Sequence, residues 1–91
     1  MLTIYSKTVC PYCTQAKNFL KSKSIPFQEI NIEENADARQ LMLERGHRSV
    51  PQIYHNGQIF VEGGFQGLSK MTAEDIQRKI DLHNELALGN L

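Results

Sequence analysis

Cys10 and Cys13, the two cysteines of this 91-residue chain, stand three positions apart in the stretch "SKTVCPYCTQAK". A thiolate is a strong nucleophile and a metal ligand, so a close pair suits thiol–disulfide exchange, half of a metal site, or two incidental core positions. A disulfide kept only as a structural staple is a poor use of this spacing. Its loop is so short that closing it constrains the unfolded chain little. Structural zinc wants four ligands. The other candidates, His47, His55 and His83, show no finger-like pairing, so no metal is expected. His55 beside Asn56-Gly57 reads as a surface turn residue and His83 as a helix-surface residue. Exchange is the chemistry the pair serves best: one sulfur attacks and the second resolves the mixed disulfide.

Such a pair must be held by a strand and a helix. "LTIYS" (2–6) is β-branched and aromatic and reads as a strand. Pro11 suits the first turn of a helix, where its missing N–H costs nothing. Cys13, Ala16 and Leu20, with Phe19 beside them, follow helical spacing and predict a helix over 11–23. Cys10 therefore falls where the unpaired N–H groups of the first turn point, and Cys13 on the inward stripe. Lys7 adds a cation nearby. Both influences favour thiolate at Cys10, the expected nucleophile, with Cys13 as the resolving sulfur.

The rest of the chain supplies further elements. "IPFQEINI" holds a second strand over 27–32 after Pro26, and "NADARQLMLERG" repeats the helical pattern up to a stop at Gly46. "QIYHNGQIFVEG" is a hairpin around Asn56-Gly57, the pair favoured in a type I′ turn. "GGFQG" interrupts the pattern. Thr72 with Asp75 three residues on resembles a helix start, with Ile76, Ile80 and Leu86 as the apolar face and "LGNL" as a fraying tail. The order β-α-β-α-β-β-α implies an α/β fold with a mixed four-stranded sheet and helices on both faces, in one domain over 1–91.

Composition narrows the function classes. Ten Lys and Arg balance ten Asp and Glu, which gives no global pull toward nucleic acid or a membrane. The charges are segregated, with four lysines and no acid in residues 1–24, so the thiols sit in the basic part. No apolar run nears the roughly 20 residues of a membrane span, and polar residues arrive too early for a signal peptide. A cytoplasmic, reducing setting is expected, where adjacent cysteines are redox-active more often than structural.

With "CPYC" at a strand–helix junction, then "SVPQIY", "NGQIFVEGG" and a terminal helix, the chain resembles a dithiol glutaredoxin of the thioredoxin-like fold. Cys10-Pro11-Tyr12-Cys13 matches the family motif unchanged. Ser49-Val50-Pro51 stands for Thr-Val-Pro, and Gly63-Gly64 for the family's Gly-Gly pair. The resemblance implies a cis Val50–Pro51 bond; without it, Pro51 reads as a strand-edge proline.

It further implies that glutathione is the reducing co-substrate. The Val50 backbone would pair with its cysteinyl unit and Lys7 would meet its glycine carboxylate, with Arg48 a second candidate. Tyr12 would lie against the ligand, Gly63-Gly64 would let the backbone approach, and the N–H groups of Phe65 and Gln66 would hold the γ-glutamyl carboxylate. Implied partners are disulfide-bearing or glutathionylated proteins, ribonucleotide reductase among the typical clients, with the chain acting as a monomer. Many relatives carry acids after the position of Phe65 to meet the γ-glutamyl ammonium. Here Gln66 and Gly67 stand there, so weaker or less selective glutathione binding is expected. Two rivals remain: a thioredoxin-like reductant served by a flavoprotein reductase, and a dimer holding an iron–sulfur cluster through Cys10 and bound glutathione.

Overall fold

The computed structural model describes the backbone of residues 1–89 and the side chains of residues 1–85. Four strands form the sheet: β1 (Leu2–Ser6), β2 (Phe27–Asn31), β3 (Gln52–His55) and β4 (Gln58–Val61). They lie in the order β2-β1-β3-β4. β1 runs parallel to β2 and antiparallel to β3, and β4 returns antiparallel to β3. Asn56 and Gly57, at φ +53° and +78°, make that return; positive φ at both central residues is what a type I′ turn requires.

Alternation along the strands sorts residues into two layers. Leu2 and Ile4 of β1 and Ile53 of β3 join Ala16, Leu20, Ile25, Phe60, Leu68 and Ile76 in the main core. Ile4 faces Ile53 across the ladder, so the two pack on one face; burying such a side chain is worth about 1.5–3 kcal/mol. Tyr54, one residue on, points to the opposite face. It meets Tyr5 edge-on at 5.4 Å and hydrogen-bonds His47, with 2.6 Å between its hydroxyl and Nε2.

The helices begin where the sequence signals lie. α1 (Pro11–Ser22) buries Cys13, Ala16 and Leu20, the predicted stripe. α2 (Ala36–Glu44) is capped by Asn35, whose Oδ1 accepts from the Ala38 N–H. A short α3 (Gly64–Leu68) occupies the segment where the pattern breaks, and the N–H groups of Phe65 and Gln66 lie in its first turn. Before α4 (Ala73–Gly89), the Thr72 hydroxyl and the Asp75 carboxylate each accept the other's backbone N–H at 3.0 Å. Of the tail expected to fray at 88–91, residues 88 and 89 continue α4, while 90 and 91 and the expected inward face at Leu86 lie outside the described residues.

The two outer histidines differ from expectation. His55 is 2% exposed, because β3 is buried on both faces and α4 crosses its end. Its ring lies 5.5 Å from that of half-buried His83, with the two Nδ1 atoms 3.4 Å apart. Burial pushes the His55 pKa down, aided by the positive N-terminus and by His83. The unfolded chain thus binds this proton more readily than the folded one. Stability should be complete above the ordinary histidine value of about 6.5 and fall as pH drops through it toward the depressed folded value. Thermal melts between pH 7 and 5 should show this slope, and His55→Phe should flatten it. Glu29, Glu33 and Asp75, whose pKa values are lowered by hydrogen bonds from Ser6 or from backbone N–H groups, contribute only at more acid pH. An unchanged slope in His55→Phe would assign the effect elsewhere.

Candidate active site

Cys10 is the N-cap of α1, with extended backbone at φ −152° and ψ 96°. Its carbonyl accepts the Thr14 N–H at 3.1 Å, while its Sγ accepts the Cys13 N–H at 3.2 Å. A sulfur thus takes the place that a serine or aspartate oxygen fills in ordinary caps. An acceptor here gains from negative charge, because the macrodipole and the unpaired N–H groups of the first turn converge on it. No acid stands in that first turn to oppose it. In the reduced protein the same field would favour thiolate over thiol at this position.

Cys10 and Cys13 are joined by a disulfide, with Cα atoms 5.2 Å apart. Cys10 is half-buried and Cys13 only 2% exposed. The outer sulfur can be reached by another molecule's disulfide; the inner one can be reached only by the outer. This asymmetry orders the two steps of exchange. The loop leading to Cys10 is clasped from β2 and its following turn. The Thr8 N–H donates to Glu33 at 2.6 Å, and Asn31 Nδ2 donates to the Thr8 hydroxyl at 3.2 Å.

Beside the disulfide runs a groove with a cavity volume of about 310 Å³. Tyr12, Ser49, Val50, Pro51, Gly63, Gly64, Phe65 and Gln66 line it, together with Gln52. Tyr12 is 52% exposed and stacks on Phe65 with centroids 6.4 Å apart; Phe65 in turn meets Phe19 edge-on. The Val50–Pro51 bond is cis, and the Val50 carbonyl lies 3.8 Å from Cys10 Sγ.

Gly64, at φ +57°, passes so close to this loop that a Cβ would stand 2.8 Å from the Pro51 carbonyl oxygen. Glycine is what lets α3 begin against the groove. The first N–H groups of α3 have no acceptor within the helix.

Lys7 stands outside this groove. It lines a second one of about 240 Å³ with Ile32, Arg39, Met42, Leu43, His47 and Arg48, and the two grooves share Ser49 and Val50. The glutathione residues singled out by resemblance are therefore divided between two grooves that have Ser49 and Val50 in common, with Lys7 and Arg48 in one and Tyr12, Gly63, Gly64, Phe65 and Gln66 in the other. Gln52 and Arg39 were missed. Gln52 is 8% exposed and donates from Nε2 to the Ser49 carbonyl at 2.8 Å, which braces the loop before the cis bond. A buried glutamine in an apolar strand was the available signal. Arg39 had none, since an arginine on a polar helix looks solvated.

Gly67 answers part of the question raised by the missing acids. A Cβ there would overlap the backbone carbonyl of Glu62. Only position 66 is therefore open to an acidic side chain in this backbone.

Comparison with known proteins agrees with this geometry. A family model described as Glutaredoxin matches residues 2–61. Glutaredoxin 3 of Escherichia coli (strain K12) is 48% identical over 56 residues, which is 60% of this chain and 68% of that protein. N-acetyl-S-hydroxy-L-cysteine reductase of Bacillus subtilis (strain 168) is 31% identical over 90 residues, covering 98% of this chain and 84% of the relative. Among solved structures, the buckwheat glutaredoxin–glutathione complex superposes with a TM-score of 0.68 at 24% identity, over 88% of this chain and 76% of that one. At that identity the likeness establishes the shared thioredoxin-like fold.

Proposed function

The chain belongs to the glutaredoxin family of thiol–disulfide oxidoreductases, and from that premise we propose that glutathione is its reductant. The observation that carries the reading is the pair of grooves that share Val50, whose carbonyl lies 3.8 Å from Cys10 Sγ, with a helix start at Gly64 in one and the cations Lys7 and Arg48 in the other. Glutathione is an extended tripeptide with two carboxylates and one ammonium. Its cysteinyl backbone can pair with Val50 like a short added strand. Its glycine carboxylate then reaches Lys7 and Arg48, and its γ-glutamyl carboxylate the N–H groups of Phe65 and Gln66. Tyr12 covers the mixed disulfide.

In the monothiol reaction, Cys10 thiolate attacks the glutathionyl sulfur of a mixed disulfide and the client leaves as a thiolate. A second glutathione thiolate then attacks the glutathionyl sulfur on Cys10, giving glutathione disulfide and free Cys10. With a protein disulfide, Cys13 resolves the Cys10 adduct, and two glutathiones reduce the resulting internal bond. Clients are disulfide-bearing or glutathionylated proteins, ribonucleotide reductase among those the family suggests, met by a monomer in the cytoplasm. Among the described residues no helix is long and apolar enough to cross a membrane.

The decisive assay uses a glutathionylated small thiol with glutathione as sole reductant, recycled by glutathione reductase. Steady turnover is expected; none would reject the reading. A second reading, a thioredoxin-like reductant, is favoured by one observation: neither Gln66 nor Gly67 offers a carboxylate to the γ-glutamyl ammonium. Turnover with thioredoxin reductase in place of glutathione would select it.

Gln66→Asp tests the same point. A charge-assisted hydrogen bond is roughly twice as strong as a neutral one, a gain of about 1 kcal/mol and hence about fivefold in affinity. The apparent KM for glutathione should fall by about that factor with kcat little changed. An unaltered KM would remove Gln66 from ammonium recognition.

A further inference from the structure

The second groove is built differently from the first. Buried Met42 and half-buried Ile32 give it an apolar floor, exposed Leu43 extends the apolar lining outward, and the cations Lys7, Arg39 and Arg48 line it as well. Leu43 is 62% exposed, on the solvent side of α2. Lys7, Arg39 and Arg48 have no ion-pair partner among the described residues. The Glu33 carboxylate, close enough to Lys7 to feel its charge, already accepts the Thr8 N–H. At about 240 Å³ the space lies below the roughly 300–1,000 Å³ of independent small-molecule sites. It suits one or two side chains, and it shares Ser49 and Val50 with the groove beside the dithiol.

We infer that this groove receives the segment of a client protein immediately C-terminal to its target cysteine, and selects an apolar residue followed by an acidic one. The inference rests on the register proposed for glutathione, in which the cysteinyl backbone lies along Val50 and the chain runs toward Lys7. A client cysteine in that place sends its next residue, about 3.3 Å further on, across Ser49 and Val50 onto the floor beside Met42 and Leu43. Side chains alternate in an extended segment, so the residue after that turns toward the rim, within reach of Arg39 or Arg48. Glutathione ends at glycine and leaves the floor uncovered, so the apolar floor serves longer partners.

The reaction requires no new reagent. Cys10 thiolate attacks the client sulfur and forms a Cys10–client disulfide, with the other client sulfur leaving as a thiolate. Cys13 thiolate then attacks Cys10 Sγ and expels the second. Two electrons pass from the Cys10–Cys13 dithiol to the client disulfide, and the protons of the two protein thiols end on the two client thiols.

The test is single-turnover oxidation of the fully reduced protein, without glutathione, by homodisulfides of three short peptides containing Cys-Leu-Asp, Cys-Ser-Asp or Cys-Leu-Lys. Each rate is divided by that peptide's rate with dithiothreitol, which removes intrinsic differences in thiol reactivity. The Leu-Asp peptide should react about fivefold faster than Ser-Asp and about tenfold faster than Leu-Lys at low salt. Leu43→Ser should erase the first preference and Arg39→Glu the second, with 2-hydroxyethyl disulfide as the common reference for each variant. Normalised rates within twofold for all three peptides would overturn the inference, as would a Leu-over-Ser preference that survives Leu43→Ser. Glutathione turnover is measured separately: lost turnover with intact peptide preferences rejects the glutathione reading, and the converse rejects this one.

Discussion

Cys10→Ser is expected to lower every exchange activity by at least about three orders of magnitude, whereas Cys13→Ser should spare deglutathionylation and lose reduction of protein disulfides. The asymmetry follows from the two sulfurs' positions. Cys10 Sγ caps α1 and accepts the Cys13 N–H at 3.2 Å, and Cys10 is half-buried where Cys13 is buried. A serine hydroxyl there would cap the helix as well or better, so the fold should persist. It would stay un-ionised at neutral pH and be a poor nucleophile. Cys13, at 2% exposure, can meet only the adduct already on Cys10. Its loss therefore removes resolution by the protein, and external glutathione takes over that step. Two assays on the same variants, one with a glutathionylated small thiol and one with a protein disulfide, separate these outcomes. Full turnover by Cys10→Ser would show that another group attacks.

Gly67→Asp should cost about 3 kcal/mol, the upper end for overpacking, and lower the melting temperature by roughly 12–24 °C for a domain of this size. The added Cβ would overlap the Glu62 backbone carbonyl and crowd Val61 Cγ2 at 3.1 Å. Backbone on both sides of the contact cannot swing aside as a long side chain could. Gly67→Ala carries the same Cβ without the charge and should melt nearly as low; exposed Gln66→Asp should melt like the parent. A parent-like melt for Gly67→Ala would remove the clash as the cause. This pair of neighbours gives a physical reason for the departure at 66 and 67. Position 67 is closed to side chains by packing, so a change in glutathione affinity through an added acid must come at 66.

Much of the site could be read from residue order because its parts obey local rules. Pro11 and the stripe Cys13, Ala16, Leu20 place a helix start just after Cys10, which sets one sulfur outward and one inward whatever surrounds them. Asn56-Gly57 fixes a I′ hairpin through its need for positive φ. Ser49-Val50-Pro51 and Gly63-Gly64 carried weight only through resemblance, since a proline or a glycine pair taken singly reads as an edge or a turn. The cis Val50–Pro51 bond belongs with them.

Other features depend on contacts between residues far apart in sequence. His55 looked like a turn residue because it adjoins Asn56-Gly57, yet α4 returns 28 positions later to bury it against His83. Gln52 looked like a strand residue, yet it is buried and its Nε2 donates to the Ser49 carbonyl in the loop before the strand. Lys7 and Arg48 were named from charge alone. That they share a groove with Arg39, Met42 and Leu43 depends on α2 packing beside the β1–α1 loop. The sequence by itself determined which sulfur caps the helix and which one faces inward, because helix capping and side-chain periodicity act within a few residues. The tertiary structure alone decided what lies beside that sulfur, because groove walls come from segments whose approach no local rule encodes.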